Sequence, residues 1–209
     1  MGYGHHRQSP QPVTTPRAHY RVQRTREGYR PMSRHPDELA ERILPATEDD
    51  WCWILQGQIE IAWTRLGVKR RKEQSRQVIA QSVEREVKRL RQDEGFPSQA
   101  FVAWTPDGTR AGFVWVAMGH NATTGQLEAS LLNQYVAEPY RGEGLGMRLM
   151  QTAENWAREQ GLPRISLSVG MHNTLGQRLY KGLGYEVETL RMSKKLAGEP
   201  TEELRLDIY

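Results

Sequence analysis

The sequence holds a single cysteine, Cys52, among 209 residues. One cysteine excludes a framework of disulfides within the chain, and this favours a reducing compartment. No run approaches the ~18 apolar residues that a membrane-spanning helix needs. The polar N-terminal stretch does not resemble a signal peptide. We therefore expect a cytoplasmic protein with no membrane partner.

An excess of positive charge is missing from most of the chain. Residues 1–38 hold seven of the 29 basic residues and three of the 25 acidic residues, which leaves 22 of each sign for the rest. The net charge of +4 therefore belongs to the N-terminal stretch. A neutral remainder does not favour nucleic-acid binding by the folded part.

Composition divides the chain into three parts. Residues 1–38 are rich in Pro and Arg and poor in branched apolar residues, which predicts an extension without its own core. Residues 39–197 are predicted to form the one folded domain. Residues 198–209 end in an alternating run that predicts a last strand or a dimer arm, so a homodimer stays open.

The rest of the sequence is organised around Arg141–Met150. An apolar, strand-like run ends at Val136, and Leu145 and Leu149 begin a helical apolar stripe. The first N–H groups of a helix have no partner inside it, and glycines let a bulky anion approach the backbone. Strand, glycine-rich turn and helix start together predict a phosphate-binding site.

Two phosphate-binding motifs do not fit this turn. A nucleotide triphosphatase loop ends in Gly-Lys-Ser/Thr, whereas Gly146 is followed by Met147 and Arg148. A dinucleotide fold places its glycines in the first strand–helix unit and an acid on the next strand. Here the glycines come late, and no acid ends the run Arg164–Val169.

Three segments resemble the GNAT superfamily of N-acetyltransferases. Arg141–Gly146 has the spacing R-x-x-G-x-G, the family's pyrophosphate-binding motif. Asn173 followed by Leu179–Tyr185 is similar to the family's N-x-x-(A/G)-x-x-L-Y-x-x-x-G-(F/Y) segment. A weaker match covers Arg42–Asp50. The resemblance implies an α/β (α+β) fold with a mixed, mostly antiparallel twisted sheet of about six or seven strands and about four flanking helices. A parallel strand pair would be splayed to admit acetyl-CoA.

Periodicity and turn residues predict elements that agree with this fold. Gly161 and Pro163 are expected to stop the helix after the turn near Gln160. The other predicted helices are 51–66, Lys69–Gln92 and a short helix capped by Asn173 or Thr174. The predicted strands are Glu41–Leu44, Gln99–Trp104, Arg110–Met118, Gln126–Val136, Arg164–Val169 and Tyr185–Lys194.

The resemblance also implies a set of cofactor-binding residues. Pantetheine would pair with the strand edge near Tyr135 and Val136, and the pyrophosphate would lie on the turn amides. Arg141 would add charge or brace the loop. Residues matching Asn173 and Tyr180 would contact pantetheine and the thioester sulfur, and Gly176 would let the ligand approach. The implied cofactor-binding set is Tyr135, Val136, Arg141, Gly142, Glu143, Gly144, Leu145, Gly146, Met147, Asn173, Gly176 and Tyr180.

The resemblance implies two catalytic side chains. Tyr180 would protonate the departing thiolate, and Glu128 matches the strand glutamate that acts as base in the histone-acetylating branch. Glu60, His120, Glu138 or a chain of waters are alternatives for the base. No metal is expected.

The resulting hypothesis is an acetyl-CoA-dependent N-acetyltransferase that acts on a primary amine by direct attack in a ternary complex. Two alternatives stay open: a non-catalytic acyl-CoA-binding module whose basic tail contacts a partner, and a basic-tailed nucleic-acid binder. The identity of the amine is left open. The acids Glu48, Asp49, Asp50 and Glu60 together with Trp51, Trp53 and Trp63 would suit a cationic amine, but the tryptophan stripe fits a core face of the helix better.

Overall fold

The computed structural model describes residues 42–93, 95 and 97–194. The predictions made for residues 1–38 and 198–209 lie outside these residues. The described part contains no helix that is long and apolar enough to cross a membrane.

The described residues form a five-stranded sheet in the order β1-β2-β3-β4-β5. The first four strands pair antiparallel, and β4 and β5 pair parallel, as predicted. Gly108 adopts a positive φ of 80° in the tight turn that joins β2 to β3 as a hairpin. The strands are Arg42–Pro45 (β1), Ser98–Trp104 (β2), Arg110–His120 (β3), Leu127–Val136 (β4) and Ile165–Leu167 (β5).

The parallel pair separates halfway along β4. The last paired residues are Leu131 of β4 and Leu167 of β5, so the second half of β4 has no strand partner on that side among the residues that the structure describes. The register with β3 shifts at the same place, because Val116 pairs with Leu131 whereas Trp115 pairs with Asn133. The extra residue, Leu132, forms a bulge that re-aims the side chains and backbone groups beyond it.

Helices cover both faces of the sheet and bury two apolar clusters. On one face, α1 and α3 pack over β2 and β3, where Ile54, Phe113 and Trp115 are fully buried. On the other face, Leu145, Leu149 and further α4 residues pack against β3 and β4. The helices are Trp51–Arg65 (α1), Val68–Arg71 (α2), Arg76–Arg91 (α3), Leu145–Glu159 (α4) and Thr174–Gly182 (α5).

Two predicted elements are wrong. The single helix Lys69–Gln92 is broken into α2 and α3, because the Ser75 hydroxyl accepts from Val78 N at 3.2 Å and caps a new helix. No strand forms over 185–194. Apolar Val187 and Leu190 stand an odd number of residues apart, so they do not share one face of a strand, and both are exposed.

Candidate active site

The turn before α4 has the backbone of an anion-binding loop. Gly142 and Gly144 have φ of 86° and 83°, a left-handed conformation that side chains other than glycine rarely adopt. Gly144 is the N-cap of α4 and receives no side-chain cap. The first N–H groups of this 15-residue helix therefore donate to no N-cap side chain.

The N–H groups of this turn are unused over a continuous stretch. Within the described residues, none of the N–H groups from Gly142 to Gly146 makes a hydrogen bond. A Cβ added at Gly142 would meet nothing within 4 Å, and one at Gly144 would meet only Arg148 Nη1 at 3.8 Å. Free donors beside open space fit a pyrophosphate.

The turn offers fewer groups to a ligand than the predicted cofactor-binding set implies. The N–H of Met147 donates to Gly144 O at 3.0 Å, so this amide already has a partner inside the helix. Leu145 is 1% exposed, so only its backbone can face a ligand. Glu143 is exposed, and its carbonyl accepts from Arg148 at 3.5 Å.

Arg141 braces the loop. Its Nε donates to Val136 O at 2.9 Å and ties the turn back to the end of β4. Of the two roles that the sequence left open, the structure shows the brace. The contact also marks the carbonyl of Val136 as pointing away from β3.

The unpaired edge of β4 is formed by Gln134 and Val136 rather than by Tyr135. Ala137 N donates to Ala111 O in β3, and backbone groups alternate between the two edges along a strand. The N–H and C=O of Val136 and Gln134 therefore point into the gap beside β5. The backbone of Tyr135 points to β3, and its ring stacks on Phe113 with centroids 5.7 Å apart. The prediction that Tyr135 pairs with pantetheine thus disagrees with this geometry.

Tyr180 lies at the gap, as its place in the motif predicts. Its hydroxyl donates to Gln134 Oε1 at 3.2 Å, and the side chain is half-buried. Burial raises the pKa of the Tyr180 hydroxyl above its ordinary value, and the positive charge of Arg65 opposes that rise. The Tyr180 phenol therefore stays protonated at neutral pH and is available as a proton donor.

Sequence reasoning missed three polar residues around the gap. Asn133 and Gln134 interrupt an otherwise apolar strand end, and that interruption was the available signal for Gln134. Arg65 ends α1 and donates to Ser168 O at 3.4 Å, just beyond β5. His172 Nε2 lies 2.7 Å from Thr64 O, which connects the loop before α5 to the same end of α1. The last two contacts join residues more than 100 positions apart, which a local pattern does not reveal.

Asn173 and Gly176 serve the local structure of α5. Asn173 is the N-cap, as predicted, and its Oδ1 accepts from Gly176 N at 2.9 Å. A Cβ at Gly176 would lie 2.6 Å from Asn173 Nδ2, so the glycine makes room for the cap. The expected contact of these two residues with a ligand stays a prediction.

Glu128 is not brought together with Tyr180. Tyr180 contacts Gln134, and Glu128 lies six residues earlier on the same strand. At roughly 3.3 Å per residue, Glu128 is about 20 Å along the strand from Gln134. Glu128 is 6% exposed. It accepts from Asn121 Nδ2 at 3.1 Å and from Ser166 Oγ at 2.9 Å. A buried carboxylate fastened at the far end of the strand argues against the predicted role as base.

The three alternative bases differ in their distance from the turn, and of these Glu138 lies beside it. His120 pairs with Leu127 across the sheet, at the same end as Glu128. Glu60 is held by Arg76 at 2.5 Å on the outer side of α1. Glu138 is exposed beside the turn.

Most residues considered for a cationic amine make other contacts, and Trp51 and Trp53 pack against the core as expected. Glu48 pairs with Arg91, which lies 4.2 Å over the Trp51 ring, and buried Asp50 pairs with Arg110 at 2.8 Å. The Glu48–Arg91 pair joins the segment before α1 to α3, and the Asp50–Arg110 pair joins the same segment to β3. Trp53 likewise packs edge-on against Phe113 and Tyr135 in the core. Asp49 is exposed and its carbonyl accepts from Arg110, and Trp63 is half-buried.

A buried amide pair lies on the α1 side of the gap. Asn133 Nδ2 donates to Gln58 Oε1, and Gln58 is 4% exposed. Gln58 Nε2, Asn133 Oδ1 and Trp115 Nε1 are buried without a partner among the described residues. Within the same residues, no three His, Cys, Asp or Glu side chains are grouped as metal ligands.

Residues 62–185, more than half of the chain, match the model of the acetyltransferase (GNAT) family. The chain is 35% identical over 89 residues to the uncharacterized N-acetyltransferase YdgE of Bacillus subtilis (strain 168), covering 43% of this chain and 55% of that protein. It is 31% identical over 103 residues to aminoglycoside N(6')-acetyltransferase type 1 of Serratia marcescens, covering 47% of this chain and 70% of that protein.

The chain spans about half the length of the Bacillus subtilis relatives that it matches, 55% of YdgE and 46% of YycN. Among solved structures it resembles a proposed acetyl transferase from Pyrococcus furiosus, with a TM-score of 0.63 and 24% identity. That likeness covers 75% of this chain and 99% of the other. At this identity it shows the fold.

Proposed function

From the premise that this chain belongs to the acetyltransferase (GNAT) family, we propose that it transfers an acetyl group from acetyl-CoA to a primary amine in a ternary complex. The observation that carries the proposal is the row of N–H groups from Gly142 to Gly146, which have no hydrogen-bond partner among the described residues. Positive-φ glycines shape this row, and it opens beside the strand edge that ends at Val136. The curated relatives named as N-acetyltransferases support the same class of reaction.

Each part of the gap has a role in this proposal. The turn amides hold the pyrophosphate, and the edge groups of Gln134 and Val136 hydrogen-bond to pantetheine as an added strand would. When bound, acetyl-CoA supplies an activated acyl group as a thioester. Tyr180 donates a proton from Oη to the departing sulfur. The proposal passes the amine's proton to water, the alternative that needs no single base.

The test measures thiol release from acetyl-CoA with a panel of primary amines, and mass spectrometry confirms the acetylated product. The panel includes small amines, aminoglycosides, peptide N-termini and lysine peptides, because the acceptor class is open. Amine-dependent release supports the proposal. Tight binding of acetyl-CoA without turnover of any amine contradicts it and favours the non-catalytic acyl-CoA-binding alternative.

The role of Tyr180 has a matched control on the same side of the sheet. Tyr180→Phe removes the proton donor, so turnover should fall while affinity for acetyl-CoA changes little. Tyr185→Phe removes a hydroxyl that donates to Glu154 at 3.2 Å instead, so turnover should stay near wild type. Equal losses in the two variants would remove Tyr180 from the mechanism.

A further inference from the structure

Gln134 connects the phosphate-binding turn to the proposed acid. Its Nε2 donates to Gly146 O at 2.5 Å, in the first turn of α4. Its Oε1 accepts from Tyr180 Oη at 3.2 Å, on α5. One side chain on the unpaired half of β4 therefore bridges the two elements that line the gap.

The chemistry of these partners fixes the direction of every proton. The carbonyl of Gly146 can only accept, so the amide nitrogen of Gln134 must face it. The amide oxygen then faces Tyr180 and can only accept, so the phenol must donate. With its proton directed at Gln134 Oε1, the Tyr180 oxygen has only lone pairs directed elsewhere in the gap.

The same contact discourages a lasting phenolate. A bond donated by the neutral phenol is lost when the proton leaves, and the amide oxygen would then face a negative charge. Arg65 is the described cation whose charge favours the phenolate. Gln134 therefore favours the protonated phenol, so a phenolate formed during the reaction should regain its proton quickly.

We propose that Gln134 is a positioning residue that holds the Tyr180 hydroxyl in place for proton transfer and ties it to the turn that binds pyrophosphate. This inference rests on the proposed acetyl transfer. The Tyr180 O–H turns from Gln134 Oε1 toward the leaving sulfur, and this O–H bond breaks as the S–H bond of the thiol forms. The tyrosine oxygen then regains a proton from the one that the attacking amine releases, carried by water.

The experiment is a double-mutant cycle on turnover. Gln134→Leu removes both hydrogen bonds at similar volume, and we expect kcat to fall about tenfold with the KM for acetyl-CoA changed less than about threefold. In the Tyr180→Phe background, Gln134→Leu should cause no further loss of kcat, because the hydroxyl that it positions is already gone. Losses that multiply in the double variant would overturn the proposal.

Two further variants keep the test decisive. Gln134→Met, which also lacks the amide, repeats the cycle if the leucine variant unfolds at assay temperature. Gln151→Leu is the matched control, since Gln151 is exposed on α4 and makes no part of the gap. Absence of amine-dependent turnover in the wild-type protein would contradict the proposed function itself. Wild-type turnover with multiplying losses would contradict the role of Gln134 alone.

Discussion

Replacing glycines of the turn by alanine separates the effect of backbone conformation from the effect of the added side-chain volume. Gly144 has φ of 83°, which costs an alanine about 1–2 kcal/mol. Alanine also makes the unfolded chain less flexible than glycine does, which favours the folded state by about 0.4–1 kcal/mol. The free energy of unfolding of Gly144→Ala should therefore fall by about 1 kcal/mol. Its added Cβ meets only Arg148 Nη1 at 3.8 Å, so crowding contributes little.

Gly146→Ala is the matched comparison with the opposite sign. Gly146 lies inside α4, where alanine is the better helix former by up to about 1 kcal/mol. Its Cβ would meet Leu179 Cδ2 at 3.4 Å and Gln134 Nε2 at 3.5 Å, which are ordinary contacts. This variant should be as stable as wild type or more stable.

Ligand binding should follow backbone conformation as well. An alanine at Gly144 relieves its strain by shifting the turn, and a shifted turn no longer aligns its N–H groups. Lost binding energy of about 1 kcal/mol weakens CoA affinity about fivefold. Urea unfolding gives the stabilities, and calorimetric titration with CoA gives the affinities. Unchanged CoA affinity in Gly144→Ala, or a larger loss in Gly146→Ala, would refute the reasoning.

Three other predictions concern groups around the site. Burial raises the pKa of Asp50, but hydrogen bonds from its neighbours outweigh this and lower it below the usual 3.8. The ionised Asp50 side chain therefore stabilises the fold above about pH 4, and this stabilisation is lost as pH falls through its lower folded-state pKa. In Asp50→Asn, the free energy of unfolding should depend less on pH in the acid range. An unchanged pH dependence would contradict this. Gln58→Leu or Asn133→Leu alone should cost about 1–3 kcal/mol in urea unfolding, whereas the double variant should be near neutral; additive losses would contradict the pairing. Arg65→Met removes a charge that favours the phenolate, so the basic limb of the pH–kcat profile should move to higher pH, and a limb that moves down would exclude its action on Tyr180.

The motif predicted the turn because glycine spacing there reports backbone conformation directly. The backbone has a positive φ at Gly142 and Gly144, and glycine is the residue that adopts this conformation readily, so the residue type itself indicates it. The strand–turn–helix order likewise follows from local periodicity, and α4 begins at Leu145 as expected. Such features depend on residues close together in the chain.

Features that depend on register or on distant contacts were harder to predict. The bulge at Leu132 reverses which residues of β4 face the gap, so Gln134 and Val136 reach it instead of Tyr135. Counting along the sequence placed Glu128 at the site, but the structure fastens it to Ser166 in the paired half of the strand. A one-residue bulge leaves no clear mark in the pattern of apolar residues.

The Tyr185–Lys194 prediction failed for a related reason. Tyr185 and Val187 alternate as strand residues do, but Leu190 breaks the alternation. Glu188 is instead drawn to Arg164 beside the start of β5. β propensity without a consistent apolar face did not produce a strand in this segment.

Hydrogen–deuterium exchange of the turn, with and without CoA, tests the central claim most directly. The N–H groups from Gly142 to Gly146 make no hydrogen bonds within the described residues, so they should exchange fast in the free protein. Saturating CoA should slow exchange in peptides that cover this stretch, more than in peptides from exposed α3. Binding of CoA that leaves exchange in the turn unchanged would contradict the account.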